Sequence, residues 1–136
     1  MGNSEGRKAL IVDDEADLRL VLGEFLRQGG WTVLEAEDGD DALWLAISEH
    51  PDVIILDVMM REREDGFGVY RELREDRRTA HIPVIFLTAF NELELGIPHT
   101  GATVAERFGV PEPEAFVNKP FDMEEVRAAL AGIFGE

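Results

Sequence analysis

Five polar side chains in this sequence combine into recognisable chemistry: Asp13, Asp14, Asp57, Thr88 and Lys119. Asp13-Asp14 follows the apolar run Ala9-Leu10-Ile11-Val12, and Asp57 closes the run Val53-Ile54-Ile55-Leu56. Three carboxylates brought together repel one another, and a hard cation such as Mg2+ is the usual remedy. Two direct carboxylates, a backbone carbonyl and waters would fill its oxygen shell and leave room for a phosphoryl oxygen. A carboxylate can itself attack phosphorus and form an acyl phosphate. The transferring group then needs donors at its equatorial oxygens. Lys119 offers a charge, Thr88 a hydroxyl and Ala89 a backbone N–H. The only other lysine is Lys8, which makes the place of Lys119, just before Pro120, notable.

The surrounding pattern supplies the elements that would position these groups. Continuous β-branched and leucine runs read as strands buried on both faces of a parallel sheet. Such runs occur at Ala9–Val12, Val53–Leu56 and Ile82–Leu87, with further short strands at Trp31–Ala36 and Ala115–Asn118. Between them the period becomes helical. Leu18, Val21, Leu22, Phe25 and Leu26 form one stripe, ended by Gly29-Gly30. Ala42, Leu43, Ala46 and Ile47 mark a second helix from about Asp40 to Glu49. Val69 and Leu73 mark a third running to about Arg78. Val126, Leu130, Ile133 and Phe134 mark a last one capped at Asp122. Strands alternating with helices predict a doubly wound α/β fold, a five-stranded parallel sheet with helices on both faces. Right-handed crossovers put all the strand ends, and so all the named polar residues, on one edge.

Composition narrows the classes of function. The 136 residues carry a formal net charge of −16, which repels phosphate backbones and argues against nucleic-acid or anionic-membrane binding. There is no cysteine, so thiolate metal sites and cysteine nucleophiles are excluded. Apolar runs are strand-sized, so no membrane insertion is expected. Residues 1–6 read as a polar, disordered leader rather than a signal peptide. A cytoplasmic location suits these features.

Asp13-Asp14, Asp57, Thr88-Ala89 and Lys119-Pro120, in that order on an alternating chain, resemble the receiver domain of two-component response regulators. The resemblance covers nearly the whole chain, with residues 7–136 as the domain. It implies the flavodoxin-like (CheY-like) strand order 2-1-3-4-5. It also implies that Asp57 accepts a phosphoryl group from a histidine kinase or histidine phosphotransfer protein. By the same resemblance, Asp14 and Asp57 bind Mg2+ directly, Asp13 binds it through water, and the Met59 carbonyl completes the protein ligands. Thr88 and Lys119 contact the phosphoryl group, and Phe116 matches an aromatic switch position coupled to Thr88. The chain is then a signalling switch, not an enzyme beyond its own phosphotransfer and dephosphorylation, and it acts on an unknown downstream protein. It is either a single-domain regulator or phosphorelay intermediate, or a receiver excised from a larger kinase or regulator.

Two stretches depart from the family. Arg61 stands where a proline often follows, in a longer loop closing at Asp65-Gly66. Between Thr88 and Lys119 the chain is extended and broken by Gly96, Pro98, Gly101, Gly109, Pro111 and Pro113. Long loops in compact domains are usually functional or disordered, so residues 90–114 read as an atypical partner surface. Met59 and Phe90, each two residues past a site residue, would shield an acyl phosphate on Asp57 and prolong its life. Plainer roles compete with some of these. The aspartates could cap the first helix, Phe116 could be simple core, and the run Arg71–Arg78 reads as a solvated helix face with i,i+4 pairs. His50, His81 and His99 read as surface residues. Two other classes share the architecture. A Mg2+-dependent acid-cluster phosphatase would want an Asp-x-Asp pair after strand one, and a flavin module a Ser/Thr/Gly-rich loop there.

Overall fold

The computed structural model describes residues 6–57, 66–88, 113–118 and 122–135. Within them, β1 (Lys8–Val12) leads to α1 (Ala16–Gln28), β2 (Thr32–Ala36), α2 (Gly39–Glu49) and β3 (Val53–Asp57). There follow α3 (Gly66–Glu75), β4 (Val84–Thr88), β5 (Ala115–Asn118) and a last helix, α4 (Met123–Phe134). The strands form one sheet in the order β2-β1-β3-β4-β5, and every pairing is parallel. This is the doubly wound order expected of the CheY-like fold.

The sheet divides the core in two, because successive strand residues point to opposite faces. Leu10, Val12, Ile54, Leu56, Val84 and Phe86 meet Ala42 and Ala46 of α2 and Val69, Tyr70 and Leu73 of α3. On the other face Ala9, Ile11, Val53, Ile55, Ile85 and Leu87 meet Leu22 and Leu26 of α1 and Val126 and Leu130 of α4. Every residue of β3 is buried, as a continuous apolar run in the middle of a parallel sheet requires. Each of its apolar side chains, Val53, Ile54, Ile55 and Leu56, stabilises the fold by about 1.5–3 kcal/mol relative to exposure.

The helix ends are set by local chemistry. Asp38 caps α2 by accepting the Asp41 amide at 2.9 Å, and α2 ends at His50 in a left-handed turn (φ 51°). Asp122 and Glu125 form a reciprocal capping box at the start of α4. The amino edge of the sheet is tied to α2 by Lys8, whose ammonium donates to the Glu49 carbonyl at 2.9 Å and whose amide donates to Asp52 at 2.8 Å.

Three sequence expectations need correction. Val21 is 54% exposed and lies outside the buried stripe of α1, with Leu20 also exposed. The helix is rolled toward Gly23, which is buried, and where an added Cβ would meet the Val33 side chain at 3.5 Å. Val21 lies two residues before Gly23, nearly opposite it on a 3.6-residue turn, and so faces water. The third helix stops at Glu75, not near Arg78. Asp76 turns the chain by accepting the Arg78 amide at 2.8 Å, and the Thr79 hydroxyl donates to the Leu73 carbonyl at 2.6 Å. Finally, the Arg71–Arg78 run is not wholly a solvated face. Arg71 and Glu75 make the expected i,i+4 pair, but the Arg74 side chain is 3% exposed.

Candidate functional site

The carboxyl edge of the sheet collects the acids. β1 and β3 are neighbours with Val12 opposite Leu56, so the residues that follow, Asp13 and Asp57, leave the sheet side by side. Asp13 is fully buried, Asp57 is 2% exposed and Asp14 is half-buried. One carboxylate oxygen from each lies within 4.8 Å of the others. Three oxygen donors of one charge at that spacing fit a hard divalent cation, which lowers their repulsion and accepts oxygen ligands readily. A second acid group, Glu37, Asp38 and Asp41, is exposed, and Asp38 there is already the cap of α2.

The turn that carries Asp13 is braced on three sides. Its amide continues the β1–β2 ladder by donating to the Ala36 carbonyl at 3.1 Å. Its Oδ1 accepts the Glu15 amide at 2.8 Å, and its carbonyl accepts from Arg19 Nη1 at 2.7 Å. Arg19 is held in turn by Glu35 at 3.1 Å. Capping therefore accounts for one oxygen of Asp13, and Glu15, the N-cap residue itself, makes no side-chain cap bond. It does not account for the convergence of three side chains. The part played by Arg19 was not legible in the sequence, since nothing in the spacing of Asp13, Arg19 and Glu35 distinguishes them from surface charges.

The other expected site residues fall out as follows. Thr88 ends β4 opposite Asn118, one step beyond the Asp57–Leu87 pair, which puts its backbone at the same edge. Met59, Phe90 and Lys119 lie outside the described residues, as does most of 90–114. Phe116 is half-buried and meets the Phe86 ring edge-on, with centroids 5.3 Å apart. Phe86 in turn meets Tyr70 edge-on at 4.8 Å. A row of three rings thus runs from α3 across β4 to β5. His50 and His81 are exposed, as expected of surface residues.

A buried polar cluster that the sequence did not announce sits at the opposite edge. Arg74 Nη2 donates to Glu114 at 2.8 Å, Nη1 to the Ile82 carbonyl at 2.6 Å and the Ala80 carbonyl at 3.2 Å, and Nε to the Tyr70 hydroxyl at 3.0 Å. The same Glu114 oxygen accepts the Val84 amide at 2.7 Å.

Comparison with known proteins agrees with this architecture. The response regulator receiver domain family matches residues 9–131. A protein of Guillardia theta named "Probable transcriptional regulator ycf27" is 40% identical over 128 residues, which is 93% of this chain and 44% of that protein. The "DNA-binding dual master transcriptional regulator RpaA" of a Synechocystis strain is 34% identical over 93% of this chain and 48% of its own length. The chain thus spans about half the length of these curated relatives. Among solved structures, the chemotaxis response regulator CheY4 of Vibrio cholerae superposes with a TM-score of 0.74 at 28% identity, covering 91% of this chain and 95% of that one. With strand order, acid trio and family match in agreement, the chain belongs to the response regulator receiver domain family.

Proposed function

We propose that Asp57 is the phosphoacceptor of a phosphorylation-dependent switch. The observation that carries this reading is the convergence of the Asp13, Asp14 and Asp57 carboxylates at the end of the fully buried strand β3. A carboxylate oxygen of Asp57 bonds to phosphorus as the phosphorus–nitrogen bond of a donor phosphohistidine breaks, and the departing imidazole takes up a proton. Water later cleaves the acyl phosphate to return the carboxylate and inorganic phosphate. Mg2+, when bound, neutralises charge on the phosphoryl oxygens. Asp14 and Asp57 would hold it directly, Asp13 through water, with the Met59 carbonyl as a further ligand. Thr88 and Lys119 would donate to the phosphoryl oxygens, and Phe116 would change rotamer with Thr88.

The phosphoryl donor is proposed to be a histidine kinase or histidine phosphotransfer protein. The output would be altered binding of a downstream protein, consistent with a net charge of −16 that suits basic protein surfaces better than nucleic acid. Residues 90–114 are proposed to contribute to that binding surface, which amide exchange unchanged on phosphorylation would refute. Among the described residues no helix is long and apolar enough to cross a membrane, in keeping with the cytoplasmic setting proposed for the switch. A cell fractionation that recovered the chain with membranes would count against that setting. Coverage of about half of each curated relative supports a receiver module that works beside other domains in such proteins.

The direct test is intact mass after incubation with acetyl phosphate and Mg2+. The parent should gain one phosphoryl group and Asp57→Asn none; equal labelling of the two would sink the assignment. Met59 and Phe90 are proposed to shield the acyl phosphate from water. Phe90→Asn should therefore lose its label faster than the parent, and an equal rate of loss would remove that role.

A further inference from the structure

Arg74 is buried, charged and far from the acids, and the phosphoacceptor chemistry makes no use of it. Its contacts nevertheless form a closed circuit. One limb leaves the guanidinium through Glu114 and follows the backbone two residues to Phe116. The other passes from Nε to the Tyr70 hydroxyl, with the guanidinium carbon 4.8 Å from the Tyr70 ring centroid, and then through the ring edges of Tyr70, Phe86 and Phe116. Both limbs end on the same side chain.

We infer that Arg74 is a positioning residue for β5 and for the stance of Phe116. This inference rests on the phosphoacceptor reading for its consequence, though not for its geometry. Among the described residues, β5 has four residues and one neighbour, β4. An edge strand of four residues makes few ladder bonds of its own, and a slip of one residue would turn every side chain to the other face. The pairing of Ile85 with Ala115 and Phe86 with Phe116 is held at its start by Glu114, whose amide donates to the Val84 carbonyl at 2.9 Å while its side chain takes the Val84 amide. Glu114 is itself fixed by the Arg74 fork. The Glu114 side chain is 39% exposed, so the buried guanidinium, which donates to four acceptors, is the rigid partner. The amino edge thereby sets where β5 arrives at the carboxyl edge, beside Thr88.

The test uses the full chain in four forms: parent, Glu114→Gln, Arg74→Lys and Leu26→Ala. Leu26 lies in the core on the opposite face and serves as a control for general loosening. Amide exchange at residues 115–118, read without any phosphoryl donor, should accelerate about tenfold in Glu114→Gln and Arg74→Lys relative to Leu26→Ala. Lysine keeps the charge but has no planar fork to serve four acceptors, so charge alone should not rescue. Labelling by acetyl phosphate at a temperature where all forms are folded should slow about threefold in the same two variants and not in the control. Equal exchange in all three variants would overturn the inference. Faster exchange with labelling unchanged would overturn the positioning role and leave only a structural clamp. If the parent itself does not label, the phosphoacceptor reading fails instead, and the exchange comparison still decides whether Arg74 holds β5.

Discussion

The two edges of one sheet treat charge in opposite ways. At the carboxyl edge, three carboxylates meet within 4.8 Å, two of them buried. At the amino edge, one buried guanidinium meets a carboxylate, a phenol and two carbonyls. Like charges held together oppose folding unless something of the other sign arrives, so the first arrangement suits a ligand of positive charge. Opposite charges with their hydrogen bonds satisfied need nothing further, and the second is organised around the fold itself. The comparison shows that burial of a charged residue does not by itself mark a functional site. The sign of its neighbours separates the two cases.

Breaking the amino edge should have the larger effect on stability. Arg74→Ala removes one partner of a mostly buried pair and leaves several acceptors without a donor. A loss of about 3 kcal/mol in urea unfolding is expected, toward the lower end for such pairs because Glu114 retains access to water. A loss below 1 kcal/mol would mean that the clamp is as weak as an ordinary surface pair.

The carboxyl edge should respond with the opposite sign. Asp13→Asn keeps an acceptor for the Glu15 amide and removes one of three like charges. Without divalent cation the variant should be more stable than the parent by about 1 kcal/mol. Mg2+ at a hundred times its dissociation constant should stabilise the parent by about 2.7 kcal/mol through mass action. At the same concentration it should stabilise Asp13→Asn less. Thermal unfolding with and without Mg2+ measures both, and equal Mg2+ effects in the two proteins would detach Asp13 from the cation site.

The smallest effect sharpens the contrast by supplying a surface pair that belongs to neither edge. The side-chain and backbone hydrogen bonds from Arg78 pull the Asp76 carboxyl from its ordinary 3.8 down to about 2. A depressed carboxylate contributes stability that is fully present above its unfolded value and is lost as pH falls from near 4 through about 2. The pair is exposed, so the contribution should be slight. NMR titration should return Asp76 toward 3.8 in Arg78→Ala, with little change in melting temperature at neutral pH.

Much of the molecule is legible in its sequence. The continuous runs Ala9–Val12 and Val53–Leu56 read as strands buried on both faces of a parallel sheet, and both are fully buried in β1 and β3. Asp122 announced the start of α4 through chemistry contained within a few residues. The acid trio was legible because Asp13-Asp14 follows one buried strand and Asp57 ends another, and strand ends in this topology must share an edge. Local rules of period, capping and chain reversal act over short distances, so these elements, and the edge to which they deliver their polar groups, follow from residues close together along the chain. What it left open depended on contacts between distant segments. Val21 keeps the helical spacing of a core residue, yet α1 buries Leu22, Gly23 and Leu26 against the sheet and leaves that side chain in water. Arg74 stands in a run of charges that looks solvated, yet Glu114, forty residues on, and the carbonyls at the start of β4 draw it inside. Neither outcome follows from local spacing, because a side chain's burial depends on which other segments of the chain reach it in the folded molecule.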